Sequence, residues 1–465
     1  MTRKLLGVIL AVVLVAGAGL VQGAAAGHND DDHSLNVKAL AQVSLLIQKD
    51  NPTSTAINEE IRAQGSDLAF KGKLLVAGSF SGIGLYKILR RAPYLKLTSF
   101  GLCQGGQGDV SIWRNYVFMS VDTPKASEEC GVPDANQAQI QDGTAWEGIR
   151  VFSIENPRSI QQVAAIETDC GSHTHTLVPM EGKLYIYNES YPISGQNPNC
   201  NAETHRKISV VEFNPENPKK SEIVSTPAVG ETIGCHDITI FKPRKLAFAA
   251  CIANAQIWDI SNPVEPKTLA TIDQPEVQIY HSTAMTWDGK YFITRDEFGG
   301  AAVPNANGCT GEETSTQAAL WIYNVEDPSA PELMSHFALP RTIPPPKNDA
   351  EAQRGRCTTH NFNIIPMKNP KKYIAPISYY TGGISVVDFS DPAAPKEIAH
   401  YMPTNIAEGT TLADMWAAYW YNGRVYTNDY QSKRGVGVYR LKGTTRRSQA
   451  YFFKGPMNPQ LQVAL

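Results

Sequence analysis

Apolar runs of four or five residues recur along this chain, and each stops at the same kind of turn. G-I-R-V-F (148–152), I-S-V-V-E (208–212), A-Q-I-W (255–258), A-L-W-I-Y (319–323) and G-I-S-V-V (383–387) are short and rich in β-branched and aromatic residues, so each predicts a strand. Behind them come S-I-E-N-P, F-N-P-E-N-P, D-I-S-N-P-V-E-P, V-E-D-P-S-A-P and D-F-S-D-P-A-A-P. Asn/Asp-Pro opens a turn there, because proline presets φ and brings no N–H to a ladder. A strand, tight turn, strand cadence precedes these runs, as in D-L-A-F-K-G-K-L-L-V-A-G-S (67–79) and A-A-Y-W-Y-N-G-R-V-Y-T (417–427). Seven such units follow one another, and the turn motifs stand roughly 45–70 residues apart, the spacing of propeller blades with loops of variable length. The expected fold class is all-β, a single seven-bladed β-propeller.

The N-terminal region departs from that pattern. Val37, Leu40, Val43 and Ile47 recur at helical spacing behind Ser34, so a short amphipathic helix is expected between Ser34 and Lys49. Upstream, Arg3 and Lys4 precede an apolar stretch from Leu5 to Leu20 and the small residues Gly23 to Gly27, the form of a secretory signal peptide cleaved near Ala24 to Ala26. No cysteine lies near that junction to carry a lipid, and no later segment is apolar enough to span a bilayer. The expected division is a leader at 1–26, a polar tail and helix at 27–55, and the blades at 56–465. The expected location is outside the cytoplasm: periplasmic, secreted or at the cell surface.

Charge narrows the partners. The formal net charge is −3, and losing Arg3 and Lys4 makes it about −5. No basic patch alternates with aromatics, which argues against nucleic acid. The run G-I-S-V-V-D-F-S-D-P-A-A-P at 383–395, and its counterpart around Asp259, resemble the blade motif of the LVIVD-repeat family of secreted bacterial β-propellers. The resemblance covers roughly Ala56 to Lys442 and implies a propeller, but no particular chemistry. The strand completing the last blade is expected either from Gln449 to Lys454 or from the N-terminal region.

All eight cysteines lie beyond the leader, and an even count in an exported chain predicts disulfides. No C-x-x-C pair is present, which argues against zinc ribbons and thioredoxin-type chemistry. Eight cysteines leave many connectivities open. With the blades laid out as above, Cys103–Cys130, Cys170–Cys200 and Cys235–Cys251 fall within blades and Cys309–Cys357 between neighbours. These cysteines would crowd the face that carries the long excursions 122–146, 190–205, 297–317 and 340–356, where loops on a rigid scaffold usually bind.

Five of the ten histidines share one structural place. Aligning the units on Phe70, Trp113, Pro179, Phe241, Trp287, Pro366 and Trp420 puts Gln64, Gln107, His173, Cys235, His281, His360 and Asp414 six residues earlier, with His236 one position out of register. Two residues on, the same face carries Ser66, Asp109, His175, Asp237 or Ile238, Thr283, Phe362 and Trp416. Imidazoles converging from separate strands suit a divalent transition metal, Zn, Cu, Fe or Ni. The candidate ligands are His173, His175, His236, His281 and His360, with Gln107, Asp109, Asp237 and Asp414 as polar neighbours at the channel mouth. The rival account is a hydrogen-bonded, water-filled lining. Asp296 and Glu297, at a strand end near the mouth, are expected to be exposed surface charge, with acid–base groups or supports for the ligands as the alternative. No G-x-S-x-G, phosphate-cradling glycine loop or H-E-x-x-H occurs. The sequence therefore reads as a binding or interaction scaffold for a protein or small-molecule ligand at the loop-rich face, with or without a metal. The alternative is a metal-dependent enzyme, an oxidase or hydrolase, using the same histidine ring.

Overall fold

A computed structural model describes residues 32–44, 46–48, 60–62, 64–190, 200–299, 307–343, 357–403, 413–430 and 434–464. The expected leader at 1–26 and parts of the long excursions lie outside these. The architecture is all-β, a series of antiparallel sheets built mostly from consecutive strands. The first unit joins Gly65–Lys71, Leu74–Ser79, Gly82–Ile88 and Leu95–Leu102. Three more begin at Val110–Trp113, Thr174–Met180 and Asp237–Phe241, and a fifth at Tyr280–Met285. The sixth and seventh, beginning at Thr359–Phe362 and Met415–Tyr421, merge into one larger sheet through a short parallel contact at Asn361↔Ala417 and Phe362↔Ala418.

Burial falls from the first strand of a unit to the last. Every residue of Asp237–Phe241 and Leu246–Cys251 is buried, whereas Lys267–Ile272 is largely exposed. Strands covered on both faces read as unbroken apolar runs, and edge strands show the polar positions. The cores lie between neighbouring units. Val178, Tyr187 and Val210 of the third pack on Ile238, Ile240 and Trp258 of the fourth. Leu68, Phe70 and Tyr86 of the first pack on Tyr419, Tyr421, Tyr426 and Val438 of the seventh. Asn422 and Gly423, both at positive φ (45° and 94°), make the two-residue hairpin that N-G signals between alternating strands.

The expected N-terminal helix is not there. Val37–Val43 is a strand, antiparallel to Val436–Leu441, and it supplies the fourth strand of the seventh unit. Its Val37 and Ala39 enter the core between the sixth and seventh units, and Val43 enters the core between the seventh and first. Lys38, between Val37 and Ala39, is exposed, so alternation holds as far as Ala39. The register shift between Ala39 and Ala41 displaces the pattern at Leu40, which is how Val37, Leu40 and Val43 come to lie three apart. The end of the polar tail is also drawn in, as Asp32–His33 pairs with the last strand of the sixth unit.

The C-terminal segment crosses the ends of the first strands. Pro456–Met457 pairs with Lys71 and Phe70, and Leu461–Gln462 runs parallel to Ile240 and Phe241. The Asn458 side chain accepts from the Ile112 N–H at 2.8 Å and donates to its carbonyl at 3.0 Å. Gln462 holds the Met285 N–H and carbonyl in the same way, at 2.8 and 2.7 Å.

All eight cysteines are paired: Cys103–Cys130, Cys170–Cys200, Cys235–Cys251 and Cys309–Cys357. Among the described residues no helix is long and apolar enough to cross a membrane.

Candidate metal centre

The first strands of successive units begin with polar side chains, yet these are buried. His173 and His236 stand just ahead of Thr174–Met180 and Asp237–Phe241, while His281 and His360 are the second residues of their strands. None is more than 4% exposed. Their rings form a row, with centroids 4.4 Å apart for His173–His236, 3.6 Å for His236–His281 and 4.4 Å for His281–His360. All four line a small cavity with Ser66, Asp67, Gln107, Asp109, Asn361 and Trp416. Its free space is about 10 Å³, close to the minimum for one water molecule.

Within the row, two sets of three have ligand atoms within 4.8 Å of one another: His236, Asp237 and His281, and His281, Glu297 and His360. The second is the better prepared. His360 Nδ1 is bonded to the Trp416 carbonyl, so in the neutral ring it carries the proton and Nε2 carries the lone pair. Nε2 meets no hydrogen-bond donor among the described residues and lies 3.7 Å from Glu297 Oε1. That carboxylate oxygen accepts from the Tyr380 hydroxyl at 3.0 Å, and Glu297 Oε2 lies 3.4 Å from His281 Nε2.

Arg295, wholly buried in the strand Tyr291–Asp296, holds the other side of His281. Its guanidinium bonds to His281 Nδ1 and the Thr359 carbonyl, to Ser282 Oγ at 2.5 Å and to Asn361 Oδ1 at 2.8 Å. Guanidinium only donates, so Nδ1 accepts and the neutral ring turns its Nε2 proton toward Glu297. Burial draws Arg295 down to about 10, which leaves it charged at neutral pH. Burial above all, and this guanidinium with the neighbouring rings, push His236, His281 and His360 well below the usual imidazole range, so all three are neutral. Burial raises Asp237 to about 7 against the pull of Arg295 and His173.

The other sequence candidates take different places. His173 Nδ1 pairs with Asp122 Oδ2 at 2.8 Å, and its Nε2 lies 2.8 Å from His236 Nε2. His175 is not in the row: Ser111 and Ser120 occupy its two nitrogens at 2.6 and 2.8 Å, and burial holds it near 3. Gln107 lines the cavity and gives its backbone N–H to Asp122. Asp109 lines it too and accepts from the His175 N–H at 3.0 Å. Asp414 is buried but is not among the lining residues. Asp296 and Glu297 are not surface charges: they are 0% and 6% exposed, and Asp296 takes backbone N–H groups from Gln278 and Ile279 at 3.0 Å. Sequence reasoning passed over Asp67, Asp122 and Arg295. The signal for Arg295 was a charged run, R-D-E at 295–297, closing a strand that is otherwise apolar.

No family model matches the chain, and no curated protein matches it. Among solved structures, the chain is distantly similar to a functionally unknown protein from Desulfotomaculum acetoxidans DSM 771. The TM-score is 0.44 at 11% identity, over 70% of this chain and 83% of that one. It is also distantly similar to the Dos1 propeller, with a TM-score of 0.49 at 8% identity, over 90% of this chain and 86% of that one.

Proposed function

We propose that the chain is an exported, seven-bladed β-propeller of the LVIVD-repeat kind, a binding scaffold whose channel mouth holds a divalent transition metal at His281, Glu297 and His360. The observation that carries this is the set itself: two neutral imidazoles and a carboxylate, all buried, brought from two neighbouring units. Nitrogen and carboxylate donors of this kind suit Zn, Cu, Fe or Ni. The partners of the ligands fix their geometry, as Trp416 does for His360 and Tyr380 for Glu297. Arg295 works against a cation through its charge. It also donates to His281 Nδ1, so an ion held at Nε2 would have to displace the ring proton there.

A second reading, a metal-dependent oxidase or hydrolase, is favoured by the ligand count. Three protein ligands leave positions for water or substrate.

The test is metal analysis of untagged protein, as purified and after exposure to each of the four metals. About one ion per chain is expected, lost in His281→Ala and reduced at least tenfold in Glu297→Gln, with both variants folded. Substoichiometric metal under every condition would leave the row as a hydrogen-bonded lining.

A further inference from the structure

We propose that the end of the molecule opposite the histidines is a docking face for an anionic lipid bilayer, formed by basic and aromatic side chains of the sixth, seventh and first units. Acids outnumber bases over the whole chain, yet residues 68–108, 364–387 and 430–465 hold no aspartate or glutamate. No single stretch is a basic run. The fold assembles one from turns far apart in sequence.

The turns concerned lie at the far ends of first strands from the histidine row. His360 stands in Thr359–Phe362 and the Met367 turn comes after it, while Trp416, beside His360, opens a strand that Asn422 follows. Met367 pairs with Ala450, and the Tyr451 N–H donates to the Pro366 carbonyl at 2.8 Å. Asn422 holds Phe453 by its N–H and its carbonyl, at 2.7 and 3.2 Å. Arg424 donates to the Leu89 and Arg90 carbonyls at 2.6 and 2.9 Å and lies over the ring of Tyr94. These contacts join the turns of three units into one band.

Three pairs of exposed cations stand on the band: Arg90 with Arg91, Lys368 with Lys371, and Arg446 with Arg447. Among the described residues none of the six has a carboxylate partner, whereas the neighbouring Lys372 is paired with Asp388 at 2.8 Å. Aromatic rings lie between them. Lys368 Nζ is 5.3 Å from the ring centre of Tyr451, and the Arg447 guanidinium carbon is 5.0 Å from that of Phe452. Tyr451 is 46% exposed, and Phe452 and Phe453 after it are half-buried.

A bilayer surface takes both kinds of side chain, bases at its phosphates and aromatic rings at headgroup level. A small free anion would need a pocket built from these cations, but the cavity beside Phe453 is about 10 Å³ and its lining is uncharged. Nucleic acid would meet the same charges, but an exported chain meets lipid instead. Docking of this kind needs no metal, and only its choice of lipid rests on the export reading.

The experiment is co-sedimentation of untagged protein with vesicles of equal parts phosphatidylglycerol and phosphatidylcholine, and with phosphatidylcholine alone. Binding to the first only is expected at about 0.1 M salt, and its loss at about 1 M. Each base near an anionic surface is worth roughly fivefold in binding, so Arg90→Gln, Arg91→Gln, Arg446→Gln and Arg447→Gln together should weaken it about a hundredfold or more. All four side chains are exposed, so the melting temperature should not change. Parent and variant carry the same N-terminus, so the difference between them reports this face alone. Binding that is absent, that ignores lipid charge or that survives the four substitutions overturns the docking face. Equally tight binding to duplex DNA, lost in the same variant, would make it a general polyanion surface and overturn the lipid assignment wherever the protein resides.

Discussion

What a buried histidine can do here depends on which of its nitrogens is already taken. His360 has its Nδ1 tied to a backbone carbonyl and its lone pair turned to the cavity, while His175 spends both nitrogens on serines. Replacing His175 by alanine should leave metal uptake unchanged but cost about 1–3 kcal/mol of stability, because Ser111 and Ser120 lose their buried partner. The same residue sets a pH dependence. Burial holds the folded-state pKa of His175 near 3, whereas the unfolded chain takes the proton near about 6.5. Its contribution is therefore intact above about 6.5 and is lost as pH falls toward 3. Between pH 7 and 5 the loss is about 2 kcal/mol. Asp237 and Asp109, with raised pKa values, act oppositely and stabilise the fold on acidification. The comparison that isolates the histidine is denaturant unfolding of the parent and His175→Gln at pH 7 and 5. The variant should lose about 2 kcal/mol less on acidification, and equal losses would mean that His175 is not held neutral.

At the scale of elements, the last unit is completed by a strand more than 390 residues away from its pairing partner in sequence, Val37–Val43 on Val436–Leu441. Removing residues 1–44 should expose that fully paired edge, and the truncated protein should lose stability and self-associate, which analytical ultracentrifugation would detect. A monodisperse truncation of unchanged stability would mean the strand is dispensable. Strands of five units were legible because an apolar run ends at an Asn/Asp-Pro turn, as at Asp388–Pro392, and those of the seventh because N-G marks its hairpin at Asn422–Gly423. The N-terminal strand was not, because the bulge at Leu40 imitates helical spacing. The histidine row could be aligned by counting back from the hairpins, but its setting could not. Arg295, Asp296 and Glu297 look like surface charge in sequence, since nothing local tells a strand residue facing a crowded interior from one facing water.

At the scale of the molecule, the contacts between the seventh unit and the first are non-covalent. Three disulfides lie within units and Cys309–Cys357 ties the fifth to the sixth, so none joins the seventh unit to the first. Reduction should therefore loosen the excursions, at about 2–4 kcal/mol per bond, without selectively opening that seam. The seam rests on the Phe70–Tyr421 core and on the Tyr419 hydroxyl bonded to Asp67. The C-terminal segment adds ties of its own to the first strands of the second, first and fifth units, through Asn458 on Ile112, Gln460 on Asp67 and Gln462 on Met285. Deleting everything after Gly455 removes these bonds and leaves the Ile112 and Met285 backbone groups buried without partners. The expected cost is about 3–6 kcal/mol. Hydrogen exchange should show where it falls: amides of Gly65–Lys71, Val110–Trp113 and Tyr280–Met285 should lose protection in the truncated chain, while reduced full-length protein keeps it there. If truncation changes neither stability nor exchange in those strands, the segment is only an overlay, and the burial of Met457, Asn458 and Gln462 reflects packing without consequence.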